Sequence, residues 1–530
     1  MITTLGKALS NWDQFSYWSY AAKDMFYTNS LVINSQIGMY YPPFPMILEY
    51  FFMNIVGQYS QGLESFTIII FGFSILIPIF EKIKQDNKRR ISKFATGVIL
   101  LAIPAVFTSL IFYESSYPDA ILGLMIGYIV YNFVYEKNRK FKILSLLLST
   151  LILTLTKPVG FYIAGIMLFI LLIYEFIIYR INNKNNKVQI KHIIKTTEIK
   201  NIVIIGIIAI ILFLSWYVYL NILNKAKRDI GEAKYENYIE YILKSIGTTV
   251  LGTYEENNDA ANSNGNLINS LSKGTGISEP FKISILGTNF IFILICVYLY
   301  KYKLKNKEKT KFGITTIVIN IGFILYILFL QITYLLMFNT TEMINHNGIE
   351  RYIQTYLLGF LYFIISSIYT NLDESKNYKN LNYVIILIAI LSITSIKSIA
   401  NVTITSGIYN INENQICNNG RFISNEFEKI EGYNKQQKIL IIAQTSMQKL
   451  YGLMARYYMY PMNVETYQID ENNENSYYEL NELLNKEYDY IYIIDTDKFI
   501  ENNLIKLNGN NILRDDIFKY ENMELIKANN

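Results

Sequence analysis

Cysteine and histidine are almost missing from this chain, with two of each in 530 residues. Cys296 falls in an apolar run and Cys417 far along a polar tail, so the two thiols read as unpaired and no disulfide framework is expected. Two imidazoles, His192 and His346, are too few for a histidine-rich metal site. Charge is sparse as well: Asp, Glu, Lys and Arg make up 17% of the chain, against 52% hydrophobic residues. The N-terminus shows no short apolar region followed by a small-residue cleavage site, so insertion is expected to rely on the spans themselves. The tail has no glycine-rich phosphate loop, which argues against a nucleotide site there, and no internal repeat is evident.

What the sequence has instead is apolar length. Runs of spanning size fall near residues 62–80, 94–112, 118–135, 143–156, 158–179, 201–223, 283–300, 312–337, 352–370 and 383–400. These predict a mainly α, polytopic membrane helix bundle of ten spans over residues 62–400. The alternate loops at 81–93, 136–142, 180–200, 301–311 and 371–382 hold 6, 4, 6, 6 and 2 Lys or Arg, or 24 in 64 positions. The loops of the other side carry 11 in far more sequence, so the positive-inside rule places the dense set in the cytoplasm. The opening residues, the 224–282 loop and the C-terminus are then expected outside. The first ten residues, "MITTLGKALS", cannot span although this topology starts outside, so a further span upstream of this chain is expected, giving eleven with a cytoplasmic start.

Residues 1–61 read as a first outer loop. "NWDQFSYWSYAAKDMF" and "FPMILEYFFMNIVG" are helix-like but too short or too mixed to cross, and their aromatics suit helices lying in the interface. Pro42 and Pro43 suit the first turn of the second of these helices. Residues 401–530 carry 12 Lys or Arg against 19 Asp or Glu and read as a small soluble extracytoplasmic α/β domain. Its expected strands are "KILIIA", "VETYQI" and "YDYIYIID", with the first and last adjacent in a parallel sheet. "MQKLYGLMARYYMYPM" and "YYELNELLNKE" are the expected helices between them.

Ionisable residues that could carry chemistry gather on the expected outer side. They are Asp13 and Lys23 in the first loop, Glu114 and Asp119 in "FYESSYPDA", Lys157 in "LTKPVG", and His346, Glu350 and Arg351 in "INHNGIERY". Each also has a structural reading: Lys23 as a snorkelling side chain, Asp119 as a helix cap, Lys157 as a helix-end anchor, Glu350 and Arg351 as a rim salt bridge, His346 as a loop residue, Asp13 as a polar member of an aromatic belt. Together, a carboxylate and cations beside lipid, where no nucleotide sugar is supplied, suit glycosyl transfer from a polyprenyl-phosphate sugar. The phosphate leaves already ionised and needs cations. The acceptor hydroxyl must lose a proton and needs a base, here Asp13. Lys157 and Arg351 are expected to hold the phosphate.

"NWDQFSYWSYAAKDMF" followed by "YYPPFPMILEYFFMNIVG" resembles the first outer loop of the GT-C glycosyltransferases, the group of the protein O-mannosyltransferases (glycosyltransferase family 39) and the lipid A aminoarabinose transferases. "SYPDA", "LTKPVG" and "ERYIQTYLLGF" resemble recurring elements of such enzymes, over residues 12 to about 370, and the C-terminal domain resembles those of Firmicutes relatives. The resemblance implies an inverting, single-displacement hexosyltransferase of the cell membrane with Asp13 as catalytic base. It also implies that Lys23, Tyr41, Asp119, Lys157, Glu350 and Arg351 bind substrate. Where a second acidic residue often follows that Asp, this chain has Gln14, which departs from a paired-carboxylate or metal role. No cofactor is expected; a divalent metal is compatible with the chemistry but no ligand set indicates one. The expected partners are the polyprenyl-phosphate sugar, a lipid, glycan or protein acceptor, and membrane lipids, with no nucleic acid. Three other readings stay open: a transporter or lipid flippase, an O-antigen-type polymerase or ligase, and a membrane anchor for the tail. The first would show inverted repeats and mid-membrane charges, and the second would lean on Arg and His in a large outer loop, where the 224–282 loop has Arg228 and no His.

Overall fold

The computed structural model of this chain describes residues 9, 11–31, 41–79, 97–183, 196–223, 259–277, 280–338, 340–371, 385–390, 392–396, 399–400, 415–430, 434, 436–443, 446–469, 478, 482–483, 488–494, 516–521 and 524–528. His192, Arg228, the side chain of Cys417, most of "YYELNELLNKE", the 81–93 loop, and most of the 180–200, 224–282 and 371–382 loops lie outside the described residues.

In chain order, a π-helical turn Gln14–Trp18 leads into α1 (Ser19–Thr28), followed by α2 (Phe44–Val56), α3 (Gln61–Ile75), α4 (Asp119–Tyr135), α5 (Arg139–Thr156), α6 (Pro158–Asn182), α7 (Thr197–Ile222) and α8 (Asp259–Lys273). A small ribbon of β1 (Thr275–Ile277) and β2 (Ile283–Ser284) precedes α9 (Ile285–Tyr302), α10 (Asn306–Met337), α11 (Thr340–Asn345) and α12 (Ile349–Asn371). The tail holds α13 (Gln415–Glu428), β3 (Lys438–Ala443), α14 (Ser446–Met459), β4 (Asn463–Gln468), β5 (Tyr490–Ile493), β6 (Asp516–Glu521) and β7 (Glu524–Lys527). The fold is mainly α, with one small α/β portion.

Among the described residues, α6, α7, α9, α10 and α12 are long and apolar enough to cross a membrane, while α2, α3, α4 and residues 385–395 form shorter apolar helices. Composition explains the difference in how these helices are used. On α7, Val203, Ile207, Ile211 and Leu214 point outward and exposed, as befits a helix that is apolar all round. On α12, Tyr356, Leu357, Leu358, Phe360 and Tyr362 are all buried, so this helix is the axis of its bundle. The apolar run 94–112 does not remain one helix. Residues 97–102 are helical, then the chain breaks into 3₁₀ turns at Ile103–Ala105 and Thr108–Leu110 and turns left-handed at Ile111 (φ +38°). Pro104 sits at this break, where its missing N–H cannot serve a continuing α-helix.

The chain forms two compact units, residues 1–37, 49–65 and 405–530 in one, and residues 38–48 and 66–404 in the other. In the first unit the sheet order is β4-β3-β5-β6-β7. β3 pairs in parallel with β4 and with β5, from Ile439 opposite Tyr490 to Ile442 opposite Ile493, so the expected neighbours are adjacent. Their runs are apolar because both faces are covered: Ile439 and Ile441 cluster with Ile423 and Phe427 of α13, and Leu440 and Ile442, on the other face, cluster with Leu483. β6 and β7 add an antiparallel hairpin at one edge, so the sheet is mixed rather than wholly parallel. The opening aromatic segment belongs to the same unit, where Phe15 and Tyr20 pack on Leu450, Leu453, Met454 and Tyr457 of α14.

Candidate functional site

In the second unit, three helices begin at one place, and the sequence sets each start. Asp119 is the first residue of α4, directly after Pro118. Lys157 joins α5 to α6 in an extended conformation (φ −161°, ψ 152°), as a residue before proline must, and Pro158 occupies the first turn of α6, where its lack of an N–H costs nothing. Arg351 is the third residue of α12, which follows a turn with His346 at φ +50° and Gly348 at φ +79°; glycine supplies the second of these at little cost.

A glycine seam brings two of these starts together. A Cβ placed on Gly123 of α4 would lie 2.6 Å from the Thr355 carbonyl oxygen and 3.0 Å from Leu358 of α12; one on Gly127 would lie 2.4 Å from Cβ of Tyr362 and 2.6 Å from the Gly359 carbonyl oxygen. One on Gly359 would meet Ile126 at 2.4 Å. Small residues four apart let two helix backbones approach this closely. Because residue number rises along both helices together, α4 and α12 run parallel, and one turn toward their starts from the Gly123 contact the same register sets Asp119 against Arg351.

The three side chains meet there. Lys157 Nζ donates to Asp119 Oδ1 at 3.2 Å, and Arg351 Nε lies 3.7 Å from Asp119 Oδ2. The Asp119 and Lys157 side chains are almost wholly buried, whereas Arg351 keeps 19% of its side chain exposed. Rings back both cations: Lys157 Nζ sits 5.0 Å from the Tyr352 centroid, and the Arg351 guanidinium 5.0 Å from Tyr117 and 5.4 Å from Tyr352. Tyr326 of α10 donates to the Tyr352 carbonyl at 3.2 Å and steadies that turn of α12. Burial works to lower the Lys157 pKa, but the Asp119 carboxylate overrides it and moves the pKa upward, so the ammonium stays charged. Two cations on one carboxylate leave a surplus positive charge, and the N-termini of α4, α6 and α12 add the partial positive ends of three helix dipoles. Such an arrangement is suited to an anion, above all a phosphate.

Of the other residues singled out in the sequence, Tyr41 lies within electrostatic reach of Lys157. Glu350, beside Arg351, approaches Gly274 rather than making an ion pair among the described residues: a Cβ on that glycine would be 2.8 Å from Glu350 Oε1. Glu114 is half-buried in the turn after Ile111. His346 is more than a loop residue. Its Nε2 lies 2.8 Å from Gln331 Oε1, its ring sits tilted by 41° at 4.8 Å from that of Tyr334, and Gln331 in turn donates to Asn264 Oδ1 at 2.6 Å, tying α8 to α10. Burial pushes the His346 pKa down, so the ring is neutral near pH 7. Tyr117, Tyr352, Tyr326 and Gln331 were not singled out from the sequence. Only Gln331, an amide within an apolar run, carried a signal that could have found it.

In the first unit, Asp13 is half-exposed at the start of the π-helical turn. Lys23 is buried, donates to the Tyr457 carbonyl at 2.6 Å and lies 4.4, 5.4 and 5.6 Å from the rings of Tyr457, Tyr59 and Tyr460. Asp24 accepts from Tyr460 Oη at 2.7 Å, and the buried Arg456 guanidinium stacks 3.7 Å over Tyr20. Lys23 thus has its ammonium engaged within its own unit.

No protein-family model matches the chain, and no curated protein sequence matches it. Two crystal structures are similar to it at 10% identity each. One is ArnT from Cupriavidus metallidurans in the apo state, covering 96% of this chain and 92% of that one at a TM-score of 0.41. The other is ArnT from Cupriavidus metallidurans bound to undecaprenyl phosphate, covering 99% and 95% at 0.42.

Proposed function

We propose that this chain is an integral-membrane glycosyltransferase that moves a monosaccharide from a polyprenyl phosphate to an acceptor hydroxyl, with inversion, on the outer face of the membrane. The observation that carries this reading is the convergence of Lys157, Arg351 and three helix N-termini on the single carboxylate of Asp119. In this mechanism Lys157 stays paired with Asp119, and Arg351, the more exposed partner and the farther from the carboxylate, turns its guanidinium to the donor phosphate. The acceptor oxygen attacks the anomeric carbon, its proton passes to the Asp13 carboxylate, and the bond from the anomeric carbon to the phosphate oxygen breaks with its electron pair on the phosphate. Lys157, Arg351 and the helix ends stabilise the charge that develops there. Tyr41, beside Lys157, adds a hydroxyl that can donate to the same phosphate.

All such donors release the same product, polyprenyl phosphate, so its binding tests the site before the sugar is known. Lys157→Gln and Arg351→Gln are expected to weaken polyprenyl phosphate binding to the purified protein by tenfold or more, roughly 1.4 kcal/mol each, in a fluorescence titration. Asp13→Asn should bind it like the wild type while losing about 10²–10⁴-fold of transfer, read by mass spectrometry of surface glycans in a complemented deletion strain. Unchanged binding in both cation variants would remove the reading's main support.

A further inference from the structure

The hairpin of α9 and α10 holds a second feature, which the transfer reaction does not use. Facing positions on the two helices leave room: Cys296 on α9 is within hydrogen-bonding reach of Thr316 on α10, and Gly313 on α10 faces the Tyr300 ring of α9, which lies 3.2 Å from where a Cβ would stand. A groove of about 670 Å³ results, lined by Cys296, Val297 and Tyr300 from α9 and by Gly313, Ile317 and Ile324 from α10. That volume is in the range of pockets that hold a ligand, roughly 300–1,000 Å³. Its rim is apolar and turned away from the rest of the unit, with Val297 54%, Ile317 59% and Ile324 59% exposed. From Thr310 to Ile324 the groove follows α10 for about 21 Å at 1.5 Å per residue, somewhat more than the roughly 15 Å of one bilayer leaflet's hydrocarbon.

One end of the groove is strongly basic. Residues 301–311, which take in the end of α9, the turn and the first turns of α10, contain six lysines and one acid, Glu308. Lys309 lies 5.9 Å over the ring of Tyr300, which itself lines the groove, and exposed Lys301 lies 5.2 Å over Tyr302. The N-terminus of the 32-residue α10 opens at the same place and adds its partial positive charge. Two acids stand against these cations, Glu308 in the first turn of α10 and Glu175 of α6, which acts on Lys311. The balance at this end remains positive.

We propose that this groove binds one acyl chain of an anionic phospholipid whose headgroup rests on Lys301, Lys309 and the N-terminus of α10. The apolar trough holds the chain, and the basic end selects the charge. A zwitterionic lipid fills the same trough but gains nothing from the lysines, so the site discriminates by headgroup.

The test is native mass spectrometry of the full-length protein released from nanodiscs of equal phosphatidylglycerol and phosphatidylcholine. One phosphatidylglycerol is expected to be retained in preference, and Lys301→Gln with Lys309→Gln, on accessible side chains, should lower that preference by about fivefold per lysine. Ile317→Trp, which fills the groove from an exposed position, should lower retention of either lipid. Equal retention of the two lipids, or a double lysine variant with wild-type preference, would overturn the proposal. So would displacement of phosphatidylglycerol by an equimolar polyprenyl phosphate, or a dimer whose contact covers Ile317.

Discussion

Each unit of this molecule buries ionisable side chains among tyrosines, and the two clusters resolve their charge in opposite ways. In the first unit acids outnumber bases. Lys23 and Arg456 are set against Asp24, Glu49 and Glu64, and both glutamates are buried with one oxygen each, Glu49 Oε1 and Glu64 Oε2, lacking a hydrogen-bond partner among the described residues. In the second unit the surplus is positive, two cations on Asp119. A buried negative surplus can be discharged by taking up a proton, and burial, with the neighbouring Glu64 charge adding to it, pushes the Glu49 pKa well above the usual carboxylate range. A positive surplus made of lysine and arginine has no such outlet near neutral pH, because guanidinium does not deprotonate and Asp119 holds the Lys157 pKa up. Under the function proposed above, the donor phosphate answers it. On that reading the first cluster serves packing and the second serves binding.

The comparison breaks most visibly at Asp119. Asp119→Asn keeps the shape but leaves Lys157 buried without its counter-charge, a change that typically costs about 3–5 kcal/mol. A large fall in thermal midpoint in detergent is expected. Adding Lys157→Met should recover much of it, since it removes the stranded cation. If the single variant melted like the wild type, the Asp119 carboxylate would not be neutralising the buried Lys157.

The sequence showed the parts of this site but not their partnership. Asp119, Lys157 and Arg351 were each legible as ionisable residues at the start of an apolar helix. That they share one carboxylate was not, because 38 and 232 positions separate Asp119 from its partners. Their meeting depends on the α4 to α12 seam; Gly123 and Gly127 stand four apart, a spacing that marks a close-packing helix face, but nothing in that spacing names α12 and Gly359 as the face it meets. In the tail, "KILIIA" and "YDYIYIID" were readable because strands covered on both faces are apolar throughout. β6 and β7, "DIFKYE" and "ELIK", mix charge with apolar residues in runs too short for a period to emerge. Run 94–112 read as a span because hydropathy averages over Pro104, while the backbone does not.

A smaller effect sharpens the contrast at Glu49. Its folded pKa is raised above the ordinary 4.5, so the folded state binds the extra proton. The stability this contributes is complete below about pH 4.5 and is lost as pH rises through the folded value, with a slope of at most about 1.4 kcal/mol per pH unit. Glu49→Gln cannot ionise, so a denaturation series from pH 4.5 upward should show a shallower decline than the wild type, with the variant gaining relative stability toward alkaline pH. Parallel curves would mean that Glu49 is ionised in the fold and that the first cluster is not discharged by a proton.

The smallest effect is expected where burial is removed from the comparison altogether. Arg139 at the start of α5 and Glu198 at the start of α7 form an ion pair at 3.3 Å, a separation much like that of Lys157 and Asp119, but with 53% and 36% of their side chains exposed. Water solvates both groups whether or not they touch, so pairing replaces one favourable environment by another and must also fix two long side chains. Glu198 additionally sits in the first turn of α7, where a negative charge favours the helix, so part of any loss in Glu198→Gln belongs to the dipole and not to Arg139. A double-mutant cycle with Arg139→Gln and Glu198→Gln removes that share and should give a coupling of about 0.2–1 kcal/mol that fades as salt is raised. A salt-independent coupling of several kcal/mol would show that ion pairs in this protein are strong wherever they occur. The energetic distinction drawn for Asp119 would then rest on something other than its removal from water.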